Sequence, residues 1–442
     1  MDKIYKQFYQ YTANLKKNRL IDLYHSLFCT LPMSSLVKMS YLDNKADPCI
    51  DKGQPLSVAC SGNTFQVMNL FETQLYNIID INISLSNEKI IISLKFNEEV
   101  TINAQSRFRF HLCHERAIYN IVLLNFLKGN VCGSQAIINN NLELKANIDY
   151  QNIESFICRN HLLRQLIDAP EHFCFFDIIV NATMPYEAHS IDFYIPLNSH
   201  EYVGDVIDAL QFNTLTLLHL HKNQARRIYL NDAEHYPLIL EKDSDELFSV
   251  ESIHSEKTDI YPYYLFHEQS VLTYMLHYNN LVSPTIEFHY SDKFRVGSVD
   301  VECICCSHFE FDQIEQISNL DENIIFSAVS SHSMKRMHYD DRLLLVERFM
   351  DIHFGNVAEL SSIQLFFDLL IEKDNALFRL RNHISGIKTS RVSDSFIICL
   401  HVLIAEQGDE YLFAYVCNVL QRFINYNFTN MLNYRVDYKV LK

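Results

Sequence analysis

Tryptophan is absent from this 442-residue chain, and glycine occurs only nine times. The missing tryptophan accompanies an abundance of Asn, Ile and Tyr; we assign it to genome base composition, and it excludes no function. The scarcity of glycine excludes more. Loops that cradle phosphate need clustered glycines, because the backbone itself must approach the ligand. Only Gly129 and Gly133 lie close together, in GNVCG, and no Lys-Ser/Thr follows them. Nucleotide-binding folds of the P-loop and dinucleotide type are set aside on this ground. Basic charge is also short, with 37 Lys and Arg against 54 Asp and Glu, a formal net charge of −17. A general nucleic-acid binder needs a basic face to displace counterions, so no nucleic-acid partner is expected. The cluster Lys16, Lys17, Arg19 reads as the solvated side of a first helix.

Long apolar runs are missing too. Phe396 to Ala405 is interrupted by His401 and is too short to span a bilayer. The N-terminal stretch MDKIYKQFYQYTANLKKNRL is polar and helical in pattern, so no secretory signal and no membrane insertion are expected. Twelve cysteines are scattered, several inside apolar runs such as Phe173-Cys174-Phe175, the pattern of reduced cytoplasmic thiols.

What is present is a large hydrophobic fraction, 48%, enough for an extensive core and roughly two or three domains. The periodicity predicts a helix over 3–30, a loop-like segment over 40–63 and a further helix over 65–80. Strands are predicted at 89–96 and 99–104, forming a hairpin around Asn97 and Glu98. Residues 111–127 read as a strand leading into a helix, and 135–148 as two short strands around an Asn turn. A helix is expected at 153–167, then strands at 174–180 and 190–197, and a helix passing into a Thr/Leu-rich strand over 205–223. Further strands are expected at 285–291 and 294–306. After about 330 the chain reads as mostly helical, with Ile363, Phe366, Phe367, Leu370 and Ile371 forming one stripe that Leu377 and Leu380 extend. The clearest element is the final helix, opened by Asp409 and Glu410 after Gly408. Leu412, Phe413, Val416, Leu420, Phe423 and Ile424 share its apolar face. The expected class is α+β and multidomain: a helical start with a β-rich domain over 1–150, a central β-rich domain over 151–335 and a mostly helical domain over 336–442.

No local spacing fixes a catalytic or metal site. HLCHE (111–115) lacks the second histidine four residues after His114 that a zinc helix needs; on a strand His111 and Cys113 would share a face and His114 would point away. Cys303, Cys305, Cys306 and His308 lack a second ligand pair and read as strand cysteines. Ser61 in ACSGNT lacks the flanking glycines of a nucleophile turn. Glu241, Asp243, Asp245 and Glu246 lack calcium-loop spacing and read as a solvated hairpin tip. Neither a metal nor a cofactor is expected. In RRIYLNDAEHYPLILEKDSDELFSVESIH (226–254), Ile228 and Leu230 alternate with Tyr229, Leu238 and Leu240 alternate with Ile239, and most carboxylates gather in the connections. That is the rim of a β domain. Arg226 and Arg227 on this rim, with Phe413, Val416, Leu420 and Phe423 of the final helix, are the candidate interface residues. The helix face must be buried either on the chain's own core or against a partner.

Taken together, several spaced patterns resemble a family. ALQFNTLTLLHLHKNQARRIYLNDAEHYPLILEKDSDELFSVESIH (209–254) resembles the central segment of TssF, the baseplate wedge protein of type VI secretion systems. Tyr236-Pro237-Leu238 and Phe248-Ser249-Val250 keep that segment's later landmarks, while Leu220-His221-Lys222-Asn223 and Arg226-Arg227-Ile228 replace its strand ending and its Glu-Pro-Ile. Pro170 to Asp177 is similar to a Pro-Glu-x-Phe…Phe-Phe-Asp run, Ser385-Gly386-Ile387 to a Lys-Gly-Ile segment, and LFAYVCNVLQRFINYNFT (412–429) to the family's terminal helix. The likeness covers about 155–270 and 360–430 with the landmarks in family order, and is that of a divergent, IglH-like member. It implies a non-enzymatic subunit that pairs with a second TssF copy and with TssG, and joins a TssE-like sheath adaptor and TssK-like connectors around a VgrG-like spike. It further implies a cytoplasmic protein docked at the inner-membrane secretion complex. The alternatives are a secreted effector or hydrolase whose site is built from distant residues such as His111, His114 and Cys303, and a viral or phage-type baseplate subunit.

Overall fold

The computed structural model describes residues 32–42, 49–60, 63–150, 159–231, 233–242, 245–255, 258–262, 272–277, 284–289, 297–306, 314–318, 324–332, 359–371, 375–392, 395–428 and 433–441. The helix expected at 3–30 and the boundary expected at 335 lie outside them.

Strands dominate. One six-stranded sheet runs in the order Ile314–Ser318, Pro55–Cys60, Asn63–Asn69, Thr214–Leu218, Ser34–Leu42, Ile324–His332. An eight-stranded sheet runs Leu210–Phe212, Arg107–Leu112, Phe175–Val180, Leu142–Asp149, Ser134–Ile138, Tyr186–Pro196, Lys89–Ile102, Ile78–Ser86. It draws strands from both sides of residue 150, so the expected break there falls inside one sheet rather than between two. A central sheet runs Leu220–Gln224, Ser298–Cys306, Glu246–His254, Asp259–Pro262, Thr273–His277, Thr285–His289, Tyr236–Pro237. Ile228–Tyr229 also pairs with Ser298–Cys306.

Among the described residues the α-helices are α1 (Ala117–Asn130), α2 (Arg159–Asp168), α3 (Val203–Ala209), α4 (Leu360–Leu370) and α5 (Asp409–Phe428). Among the described residues of the C-terminal region, strands accompany the expected helices. Ile384–Val392, Ser395–Val402 and Asn433–Val440 form a three-stranded sheet, the last strand parallel to the second after the return through α5.

Other differences have physical reasons. The segment over 55–69 is a hairpin, Pro55–Cys60 paired with Asn63–Asn69. The helix expected over 65–80 is this second strand followed by Thr73–Gln74 and the start of Ile78–Ser86. Lys89–Ile102 is one long strand, because Tyr186–Pro196 pairs with both halves and a register shift between Ala188 and Ser190 absorbs the irregularity. Its hairpin turn lies earlier, at Asn87 and Glu88, both at positive φ. That is the two-residue turn whose twist suits adjacent strands.

The main core lies between the eight-stranded sheet, α1, α2, α5 and the C-terminal sheet. Helix α1 buries residues around most of its circumference, including Ile121, Val122, Leu123, Leu124 and Phe126, as a helix between two layers must. Against it lies α5, with Leu412, Phe413, Val416, Leu420, Phe423 and Ile424 all at most 3% exposed. Phe423 meets Phe366 of α4 edge to face at 5.3 Å, and the Tyr415 hydroxyl donates to the Leu166 carbonyl of α2 at 2.6 Å. At the start of α5, the Asp409 carboxylate is fully buried. It accepts from Arg379 at 2.6 Å and from the Glu406 backbone N–H at 2.9 Å. Gly408 has φ +90, and a Cβ there would lie 3.3 Å from a Val122 methyl of α1. The conformation favours glycine, and a Cβ would in addition press on Val122.

The six-stranded sheet meets its neighbours through buried polar groups. His219 Nε2 and Ser35 Oγ are 2.7 Å apart, Thr216 Oγ1 donates to the His172 carbonyl at 3.1 Å, and Thr214 Oγ1 bonds His111 Nδ1. Burial lowers the His219 pKa to about 3 and holds that of His111 well below its ordinary value.

Phe423→Ala removes a fully buried ring and is expected to cost about 3–5 kcal/mol in chemical unfolding. The histidines give a second expectation. An unfolded imidazole titrates near 6.5, so below that pH the unfolded chain binds protons that folded His219 refuses down to about 3. Stability is therefore full above about pH 6.5 and falls as pH drops toward 3. His219→Gln keeps a hydrogen-bonding side chain without the titration, and should move the acid-unfolding midpoint down by roughly half a pH unit or more.

Candidate functional site

The structure separates the two groups of candidate interface residues. Phe413, Val416, Leu420 and Phe423 lie inside the chain's own core at 0–2% exposure. With almost no surface to offer a partner, they are core residues, and the expectation that they form an interface is corrected to own-core burial.

Arg226 and Arg227 stand on the rim of the central sheet, where the chain turns from the Ala225–Leu240 bridge into Ile228–Tyr229. Arg227 Nε and Nη2 donate to the two Asp300 oxygens at 2.7 Å each, with both side chains about half exposed. An exposed bidentate pair of this kind orders the rim and adds little stability. The Arg226 backbone N–H donates to the Ile239 carbonyl at 2.8 Å. Tyr229, two residues beyond Arg227, is 71% exposed and Ile239 is 39% exposed. Tyr and Arg beside exposed aliphatic surface are the residue types that carry energy at protein interfaces. Sequence reasoning took the arginines and missed Tyr229 and Ile239 as contacts. The available signal was the strand alternation, which points Tyr229 outward wherever Ile228 points in.

The acidic run is less solvated than expected. The Asp245 side chain is 8% exposed, accepting from Asn223 at 2.7 Å and bonding His221 Nε2 at 2.9 Å. Asp243 lies outside the described residues.

The residues of a hydrolytic alternative are not brought together. His111 is buried in the eight-stranded sheet. The His114 ring lies instead against Tyr119, its Nδ1 accepting from the Arg116 N–H at 3.1 Å. Cys303 and Cys305 line the core of the central sheet, where burial raises each thiol to about 12. Such thiols stay protonated and inert near neutral pH.

A cleft of about 810 Å³ opens beside Arg109 and Asp177. There the guanidinium donates to both Asp177 oxygens at 2.7 and 2.8 Å, to the Glu72 carbonyl at 2.9 Å and to Thr73 Oγ1 at 3.1 Å. It also lies 4.4 Å above the Phe175 ring. With its donors engaged inside the protein, this buried pair holds strands together and has little left for a ligand. Among the described residues, three metal-ligand side chains converge at His235, His277 and Glu287.

Comparison with protein-family models and with curated proteins finds no match. Among solved structures, the chain superposes on a chain of the type VI secretion system TssK-TssF-TssG baseplate subcomplex, determined by cryo-electron microscopy. The TM-score is 0.70 at 12% identity, over 100% of this chain and 96% of that one. A chain of a structure described as the baseplate complex from the type VI secretion system aligns over 93% of this chain and 83% of its own length, at 11% identity. Its TM-score of 0.49 is too low to carry weight. Over its whole length, this chain has the fold of a chain of the type VI TssK-TssF-TssG baseplate subcomplex.

Proposed function

We propose that this chain is a TssF-like structural subunit of a type VI secretion baseplate wedge. The observation that carries the reading is the whole-chain superposition on a member of the TssK-TssF-TssG subcomplex. The order of sequence landmarks over 155–270 and 360–430 supports TssF as the matching subunit. In this reading the chain is non-enzymatic and works by holding partners. A TssG-like and a TssK-like protein are its first partners, in keeping with the composition of that subcomplex. By resemblance, a second copy of the chain, a TssE-like protein and a VgrG-like spike complete the assembly. It acts in the cytoplasm, docked at the inner-membrane complex, and among the described residues no helix is long and apolar enough to cross a membrane. Arg226, Tyr229 and Ile239 form the surface we assign to partner contact.

Co-expression with its TssG-like and TssK-like partners should recover all three proteins in one complex. Recovery of the chain alone, or hydrolytic turnover by the purified chain, overturns the proposal. Within the complex, Tyr229→Ala combined with Arg226→Ala should weaken partner binding by about 2 kcal/mol or more, roughly thirtyfold, with unchanged melting. Arg227→Ala should alter chemical-unfolding stability by only about 0–1 kcal/mol, since its ion pair is exposed. Unfolding by that single change would show that the rim is core.

A further inference from the structure

The far side of the central sheet sets one side chain from each of three neighbouring segments at a common point. Thr273–His277 and Thr285–His289 pair antiparallel, with His277 opposite Thr285 and Met275 opposite Glu287. Tyr236 pairs with Ile286 on the other flank, which sets His235, one residue earlier, level with Glu287. His277 Nε2 lies 2.8 Å from Glu287 Oε2. The rings of His235 and His277 meet edge to face at 5.0 Å between centroids. One donor atom from each of the three residues lies within 4.8 Å of the others. His289, two residues beyond Glu287 and so on the same face, holds its Nε2 3.5 Å from the second carboxylate oxygen.

Two imidazoles and a carboxylate are a donor set for zinc and similar divalent transition ions. Around zinc, with ligand distances of about 2.0–2.2 Å, such donors stand roughly 3–3.5 Å apart. His235 is exposed, so a shift of about 1 Å by its ring closes the set without moving the sheet. The side chains of His277 and Glu287 are 34% and 26% exposed, which leaves a solvent route for the ion. His289 beside the second oxygen of Glu287 stands where a supporting group orients a ligating carboxylate. A bare His277–Glu287 hydrogen bond accounts for two of these residues and leaves the approach of His235 unexplained.

We propose that His235, His277 and Glu287 bind one divalent transition-metal ion of the zinc type, with a fourth position open to water. The sequence reading expected no metal because it examined local spacing at HLCHE and around Cys303. These ligands meet only through strand register. The bound ion would tie Tyr236–Pro237 to Thr285–His289 and, beyond it, to Thr273–His277.

The test uses the full-length chain, stripped with chelator and titrated with zinc chloride by calorimetry, with melting followed in parallel. We expect one zinc per chain and a raised melting temperature. His235→Ala should weaken binding at least about tenfold and leave the metal-free melting temperature unchanged. Glu287→Gln, of similar size, should weaken binding by a comparable factor. X-ray absorption at the zinc edge should show nitrogen and oxygen neighbours only. Absence of saturable binding overturns the proposal. So do sulfur ligands, and so does undiminished affinity in both variants, because each places the ion at other cysteines or histidines of the chain.

Discussion

Between Leu210 and Gln224 the backbone serves three sheets in succession. Leu210–Phe212 is an edge strand of the eight-stranded sheet, Thr214–Leu218 an inner strand of the six-stranded one, and Leu220–Gln224 an edge of the central sheet. The two junctions are polar residues held on all sides. Asn213 takes positive φ, donates to the Tyr76 carbonyl at 2.6 Å and accepts from the Tyr76 N–H at 3.1 Å. His219 is buried against Ser35, and its backbone N–H donates to the Met33 carbonyl at 2.9 Å. A backbone that leaves one ladder before joining the next must find other partners for its polar groups, or lose the free energy of burying them unmet. Here the Asn213 carbonyl accepts from the Met39 N–H at 2.9 Å and the Met33 carbonyl takes the His219 N–H, so Ser34–Leu42 and the residue before it satisfy both junctions. These junctions, with the Thr214–His111 and Thr216–His172 hydrogen bonds and the apolar core shared at Leu218 and Leu220, set the three sheets against one another.

Much of this was legible where local pattern and tertiary pairing agree. The alternation in KIIISLKF reports buried Ile90, Ile92, Leu94 and Phe96 directly. The six residues read as the apolar face of α5 are all buried, and Cys417 and Val419 join them. Where pairing overrides pattern, reading failed. Phe65, Met68 and Phe71 recur at helix-like spacing, yet Asn63–Asn69 is claimed as a strand by Pro55–Cys60 on one side and Thr214–Leu218 on the other. Asn97-Glu98 looks like a turn, but the length of Tyr186–Pro196 carries the ladder past it. The candidate site divides the same way. Charge marked Arg226 and Arg227. Tyr229 and Ile239 were read as outward strand positions but not as contacts, and His235, His277 and Glu287 come together through a register that no local spacing encodes.

The twelve per cent identity to a chain that superposes along the whole length says what such a fold preserves. Its requirements are met by strand order, by polar junctions and by a filled core, and many side chains satisfy each. Hydrophobic volume and pattern tolerate wide substitution when the layout is kept. At that identity the geometry is kept while the side chains change, which leaves family-model comparison little to match.

The packing of α5 on α1 also sets a schedule. Asn125 of α1 donates to the Tyr411 carbonyl of α5, 286 positions later in the chain. At ordinary rates of about 5–20 residues per second, a ribosome takes roughly 15–60 s to travel that distance. Throughout that interval, the surface of α1 that α5 will cover has no helix to cover it. The packing of α1 is therefore complete only once residues 409–428 have been made.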